Sequence, residues 1–194
     1  MIRIAWIRAL RSIDLNAHLA SFVDPMLPSS VVTDISTSAS VLIPRPRDEV
    51  FARATDSTNT SEILSSRGPF AGITKVEMNE GQALATGSKR RVFMTDGTVL
   101  EEVILAFDPP VRYRYGWKGG AKFPFSLLVR SGTGDWGFTE EQGGTRIVWT
   151  YTFGLTSPLA YPLALPIARL FKGWLQQGLD ALRADIETAP DRNG

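Results

Sequence analysis

From Pro166 to Glu187, the residues Ile167, Leu170, Phe171, Trp174, Leu175, Gly178, Leu182 and Ile186 recur at steps of three and four, while Arg169, Lys172, Gln176, Asp180, Arg183 and Glu187 mark the other side. This spacing predicts an amphipathic helix about 33 Å long with one broad apolar stripe. Pro158, Pro162 and Pro166 precede it, and a proline in a first turn loses no needed hydrogen bond, so regular helix is expected to start near Pro166. Upstream the period changes to two. Val31, Thr33, Ile35, Thr37, Ala39, Val41 and Ile43 alternate with Asp34, Ser36, Ser38 and Ser40, predicting a first strand over 31–43. Pro44 and Pro46 end that strand. Two short helices are expected next, over 48–54 with Val50 and Phe51 inward and over 59–65 with Ile63 and Leu64, followed by a strand over 73–78.

A hairpin is predicted from 84–95 and 98–107, joined by Asp96-Gly97 as a two-residue type I′ turn. Pairing Thr95 with Thr98 puts Ser88, Arg90, Val92 and Met94 on the same face as Val99, Glu101, Val103, Leu105 and Phe107, the more apolar face. Lys89, Arg91, Phe93, Glu102 and Ile104 are then outward, with Arg91 opposite Glu102. Strand five alternates Val111, Tyr113, Tyr115 and Trp117 inward with Arg112, Arg114 and Lys118 outward. A glycine- and aromatic-rich loop over 119–125 leads to strands six and seven. With 141–144 as their connection, Glu140 faces Thr145, Phe138 faces Ile147, Trp136 faces Trp149, Gly134 faces Tyr151 and Gly132 faces Phe153. Two glycines opposite two large aromatics imply either unfilled volume, as a ligand cavity needs, or a bulge in the sheet.

The 194 residues, 43% hydrophobic and 21% charged, suit one domain with a substantial core. Twenty-one basic against 20 acidic residues leave a formal charge of +1, too little for a global field that draws in nucleic acid. With no cysteine and His18 as the lone histidine, disulfides, zinc-thiolate sites, thiol catalysis and most histidine-based metal sites drop out. No metal or other cofactor is expected. Arg3, Arg8 and Arg11 interrupt any apolar run of signal-peptide length in residues 1–30, so a cytoplasmic location is expected. Those residues read as an N-terminal extension and linker, either a membrane-surface helix or a frayed appendage, with Met26 as an alternative start; 189–194 reads as a tail. Gly132-Thr133-Gly134-Asp135-Trp136-Gly137 has dinucleotide-binding spacing, but strands flank it where the fingerprint needs a helix N-terminus. Lys89-Arg90-Arg91 lies on a strand that sends neighbours to opposite faces, so it makes no single phosphate patch.

The order of strand, two short helices, six strands and long helix resembles the helix-grip fold of the START and Bet v 1-like (SRPBCC) superfamily over 31–187. The resemblance is carried by Ile43-Pro44-Arg45-Pro46-Arg47-Asp48-Glu49-Val50-Phe51, by Thr95-Asp96-Gly97-Thr98 through Phe107-Asp108-Pro109-Pro110, and by Trp136-Gly137-Phe138 through Gly144-Thr145-Arg146-Ile147-Val148-Trp149-Thr150-Tyr151. These segments are similar to the bacterial branch of polyketide cyclase, dehydrase and lipid-transport proteins. The fold class expected is α+β, a curved seven-stranded antiparallel sheet wrapped on a long C-terminal helix, as one domain over 31–188. The resemblance implies a carrier or sensor holding a hydrophobic or aromatic small molecule, lipid-, quinone- or polyketide-like, between sheet and helix. The alternatives are a metal-free cyclase or dehydratase on a polyketide-like substrate, and a protein- or membrane-interaction module.

Candidate ligand-binding residues are Arg90, Glu101, Val103, Tyr113, Tyr115, Trp117, Trp136, Phe138, Trp149, Tyr151, Phe153, Ile167, Phe171 and Trp174. Core packing is the competing role for each aromatic. Arg90 and Glu101 are expected as diagonal neighbours on the concave face. In one reading Arg90 orients a ligand carbonyl or carboxylate while Glu101 fixes the guanidinium or acts as general base. In the other they satisfy each other, or a bulge near Gly97 turns them outward. No catalytic set is assigned, no nucleic-acid partner is expected, and the oligomeric state stays open.

Overall fold

Seven strands pair into one antiparallel sheet, and their order follows from a meander closed by its first strand. The computed structural model describes residues 33–58, 63–79 and 81–188. The expectations for the N-terminal extension, His18, Met26, Val31, most of the second short helix and the tail lie outside these. The elements are β1 (Asp34–Ile43), α1 (Arg47–Thr55), β2 (Ile73–Met78), β3 (Lys89–Met94), β4 (Val99–Asp108), β5 (Arg112–Lys118), β6 (Val129–Glu141), β7 (Gly144–Leu155) and α2 (Tyr161–Thr188). The sheet order is β1-β7-β6-β5-β4-β3-β2, every neighbour antiparallel. A curved sheet around a long C-terminal helix is the helix-grip fold that the element order implied.

Alternation sends the apolar set of each strand to the concave side. Ile35, Ala39, Val41 and Ile43 of β1 are buried there, as are Ile147, Trp149, Tyr151 and Phe153 of β7. Val50 and Phe51 of α1 point inward as expected, and Phe51 sits edge-on to Phe138 with ring centroids 5.0 Å apart. Ile63 and Leu64 are buried as well. The stripe of α2 fills the grip through Phe171, Trp174, Leu175, Leu179, Leu182 and Ile186. Gly178 lets the helix approach closely, because a Cβ there would meet Leu64 Cδ2 at 2.5 Å.

The helix begins at Tyr161, five residues before the expected start, and Pro166 lies inside it. Pro162 occupies the second helical position, where a missing N–H is free of cost. Pro166 removes one bond, to the Pro162 carbonyl, near an end that a short turn over Pro158–Ala160 already supports.

Candidate functional site

The β3–β4 turn decides what faces the interior. Gly97 N–H donates to the Met94 carbonyl at 2.9 Å, and Met94 N–H to the Thr98 carbonyl at 2.9 Å. The loop is therefore three residues long, Thr95-Asp96-Gly97, with Gly97 at φ +77° and the Asp96 carboxylate accepting from Thr98 N–H at 2.8 Å. This is a type I turn with a left-handed glycine, where the dipeptide alone suggested a two-residue turn. One extra loop residue shifts the pairing by one, and a shift of one inverts every side chain of one strand. Arg90 pairs with Glu102, Arg91 with Glu101 and Val92 with Leu100.

Glu101 and Val103, expected inside, are therefore on the outer face, with Glu101 exposed and Val103 half-buried. Leu105 is exposed too. Glu102 and Ile104, expected outside, are buried. A bulge between Ile104 and Ala106 then restores the original phase, so Phe107 still faces inward opposite Tyr113. The carboxylate opposite Arg90 is thus Glu102, which sequence reasoning had placed in solvent.

Arg90 is 8% exposed and Glu102 5%. The Arg90 guanidinium donates from Nε to Glu102 Oε2 at 2.7 Å, and Nη2 lies 2.7 Å from the same oxygen as an ion pair. Glu102 itself lines a cavity. The guanidinium also stacks over the Tyr115 ring at 5.0 Å and the Tyr113 ring at 5.6 Å. Burial alone would depress the Arg90 pKa, but the Glu102 carboxylate, with Tyr113 and Tyr115, more than offsets it, so the guanidinium is held charged above its ordinary value.

Between the sheet, α2 and the 119–128 loop lies a cavity of about 410 Å³, within the roughly 300–1,000 Å³ typical of small-molecule sites. Of the candidate residues, Tyr115, Trp117, Tyr151, Phe153, Ile167, Phe171 and Trp174 line it. Phe70, Val92, Met94, Leu100, Phe125 and Leu128 complete walls that are mostly apolar. Val92 and Met94 were expected on the apolar face without being named as ligand-binding candidates; Leu100 was turned outward by the expected register, and Phe70 and the 119–128 loop lie outside periodic elements.

Tyr113, Trp136, Phe138 and Trp149 are not among the lining residues; they pack the closed end of the grip. Trp136 and Trp149 face each other at 4.3 Å across β6 and β7, and Trp174 covers Trp149 at 5.8 Å. The β6–β7 register is the one expected, pair for pair. The volume opposite Tyr151 and Phe153 is not vacant, however. Gly134 and Gly132 also face Tyr115 and Trp117 of β5, whose rings lie across them. A Cβ on Gly132 would come within 2.6 Å of the Trp117 ring, and one on Gly134 would clash with Tyr115. Arg90 likewise is not a lining residue and reaches the cavity through Glu102.

Tyr115 and Tyr151 line the cavity beside Glu102, and Trp117 Nε1–H donates to the Tyr151 hydroxyl at 2.6 Å. Burial, and then the nearby Glu102 carboxylate, push both tyrosine pKa values well above the ordinary value of 10.0. Their phenols are therefore neutral hydrogen-bond donors at any working pH. The cavity lining thus offers one paired carboxylate as acceptor and two phenols as donors. Among the described residues, no cluster of His, Cys, Asp or Glu could hold a metal ion, and no helix is long and apolar enough to cross a membrane.

A family described as polyketide cyclase / dehydrase and lipid transport matches residues 34–187. No curated protein matches the sequence significantly. Among solved structures, Ara h 8.0201 superposes with a TM-score of 0.57 at 18% identity, covering 81% of this chain and 100% of that one. The di-domain ARO/CYC BexL from the BE-7585A biosynthetic pathway gives 0.60 at 20% identity over 81% of this chain and 51% of that one, so this chain spans about half of it. Truncated norcoclaurine synthase from Thalictrum flavum gives 0.62 at 13% identity over 84% and 99%. At such identities these likenesses establish the fold.

Proposed function

The chain belongs to the polyketide cyclase / dehydrase and lipid transport family, and on that premise we propose that it binds a hydrophobic small molecule carrying one hydrogen-bonding end, as a carrier or sensor. The observation that carries this reading is the 410 Å³ cavity with mostly apolar walls and, in its lining, the carboxylate of Glu102 paired with Arg90. Apolar walls supply affinity without orientation, and a few buried polar groups fix which end of the ligand enters first. A ligand hydroxyl directed at the Glu102 carboxylate, with Tyr115 or Tyr151 donating to a neighbouring oxygen, satisfies groups whose burial without partners is costly.

Glu102 also supports a second reading, as cyclase or dehydratase. A buried carboxylate in the cavity wall, held by Arg90, can take a proton from a substrate carbon or hydroxyl, while neutral phenols stabilise the oxygen that gains charge. The carrier reading predicts stoichiometric binding, the enzyme reading turnover.

Native mass spectrometry of protein purified from its own host tests both for a retained small molecule, and titration with 1-anilinonaphthalene-8-sulfonate measures apolar binding directly. Leu100→Trp, which places an indole in the cavity, is expected to abolish dye binding while the fold persists. If nothing co-purifies and Leu100→Trp binds dye as the wild type does, the cavity is not a ligand site.

A further inference from the structure

The most exposed large apolar side chains of the described chain gather at the cavity's open end. Phe123 is 78% exposed, Leu127 62%, Leu159 86% and Leu163 61%. They come from the 119–128 loop, the β7–α2 connection and the first turn of α2, and the two connections are tied together, since the Thr156 hydroxyl donates to the Leu127 carbonyl at 2.7 Å and Thr156 N–H to the Leu128 carbonyl at 3.0 Å. Phe123 also lines the cavity, as does Ile167, one helical turn beyond Leu163. Core packing explains none of these four, and together they form a patch of the kind that marks an interaction surface.

Charge identifies what the patch meets. The segments 109–134 and 142–179 contain neither Asp nor Glu, and at this end they carry Lys118, Lys122, Arg130, Arg169 and Lys172, all exposed. Among the described residues three acids share the end, Asp34, Asp96 and Glu101; the Asp96 carboxylate is occupied by Thr98 N–H, and Glu101 lies beside Lys118 on the adjacent strand. Asp48, Glu49, Glu140, Glu141, Asp185 and Glu187 lie at the opposite end, where α1 meets the β6–β7 turn and the C-terminal part of α2. A net charge of +1 therefore hides a polar distribution, with apolar tips ringed by cations around the mouth. Apolar side chains flanked by lysine and arginine match an anionic bilayer, with the tips at the acyl boundary and the cations among phosphates.

We propose that the mouth of the cavity docks onto an anionic lipid surface, with Phe123, Leu127, Leu159 and Leu163 inserting and the ring of cations binding headgroups. The docking does not depend on which molecule occupies the cavity. It does place the opening against the bilayer, so an apolar ligand can pass between them without crossing water.

The test is co-sedimentation of the full chain with vesicles of phosphatidylcholine alone and of phosphatidylcholine and phosphatidylglycerol in equal parts. Binding to the anionic vesicles at low salt is expected, with little to the neutral ones and release as salt rises. The triple variant Phe123→Ser, Leu159→Ser, Leu163→Ser is expected to lower the bound fraction about tenfold or more with its melting temperature unchanged, since these side chains leave water only on docking. Lys122→Gln with Lys172→Gln is expected to weaken binding to anionic vesicles alone. Leu159→Ser by itself provides a milder variant should the triple one fold poorly. The proposal is overturned by equal binding to both compositions, or by none. It is also overturned if the mouth variants bind like the wild type while removal of residues 1–25 abolishes binding, or if light scattering shows the triple variant converting a dimer to a monomer.

Discussion

Arg90 and Glu102 stand directly opposite each other on β3 and β4, joined through one carboxylate oxygen, Oε2, which accepts from Nε at 2.7 Å and lies 2.7 Å from Nη2. Oε2 neutralises the buried guanidinium, and the same Glu102 side chain forms part of the cavity wall. A buried ion pair stabilises little by itself, because desolvating two charges offsets most of their attraction.

Breaking the pair is therefore expected to cost far more than replacing it. Glu102→Leu or Arg90→Met alone should destabilise by about 3–5 kcal/mol, by stranding the partner's charge, whereas the double variant should recover most of that loss. Urea unfolding of the four proteins gives the coupling. Losses that simply add would show that the two groups act independently.

Gly134 and Gly137 provide a paired test of ring packing on β6. Gly134→Ala is expected to displace the Tyr115 ring and destabilise by about 1–3 kcal/mol. Gly137→Ala has no atom within 4 Å of the added carbon and should change stability by less than about 0.5 kcal/mol. Thermal melting distinguishes them, and equal effects would remove the role assigned to Tyr115.

Alkaline pH should unfold the protein through its tyrosines. Burial raises the pKa of Tyr113, Tyr115 and Tyr151 above the ordinary 10.0, so the folded state holds these phenolic protons more tightly than the unfolded chain does. That stabilisation is complete below about pH 10 and is lost as pH rises beyond it. Absorbance at the phenolate band should show these three ionising only together with loss of the circular dichroism signal. Their ionisation while the fold stays intact would contradict their burial.

Phe51 holds the closed end, touching Phe138 at 5.0 Å and Phe107 at 5.5 Å, away from the cavity walls. Phe51→Ala should cost about 3–5 kcal/mol and yet leave the dye affinity of the folded fraction unchanged. A weakened affinity at low denaturant would mean that the closed end and the cavity are coupled.

Much of this molecule is legible in local pattern. Period two in β1, β5, β6 and β7 and steps of three and four in α2 report which residues face the core, because one face of each element is buried. The β6–β7 register followed from its connection and its Trp136–Trp149 pairing. Trp117, Tyr151, Phe153, Ile167, Phe171 and Trp174 were placed inside from alternation and helical spacing alone, and the segments at the β1–α1 corner and around β6–β7 pointed to the family.

The tertiary structure decided the rest, for three physical reasons. Leu100-Glu101-Glu102-Val103-Ile104 alternates equally well in either phase, so only the turn length could say which glutamate is buried, and one residue in the Thr95-Asp96-Gly97 loop reversed the answer. Whether Gly132 and Gly134 leave a hole depends on β5, a third strand whose Trp117 and Tyr115 rings lie across them, and pairing two strands at a time cannot reveal it. The apolar rim joins Leu127 to Leu159 through Thr156, bringing together two connections that are remote in sequence and have no shared period. Alternation and helical spacing are local and were written in the chain; turn length, third-strand packing and loop-to-loop contact are relations between distant residues, which exist only once the sheet has closed around α2.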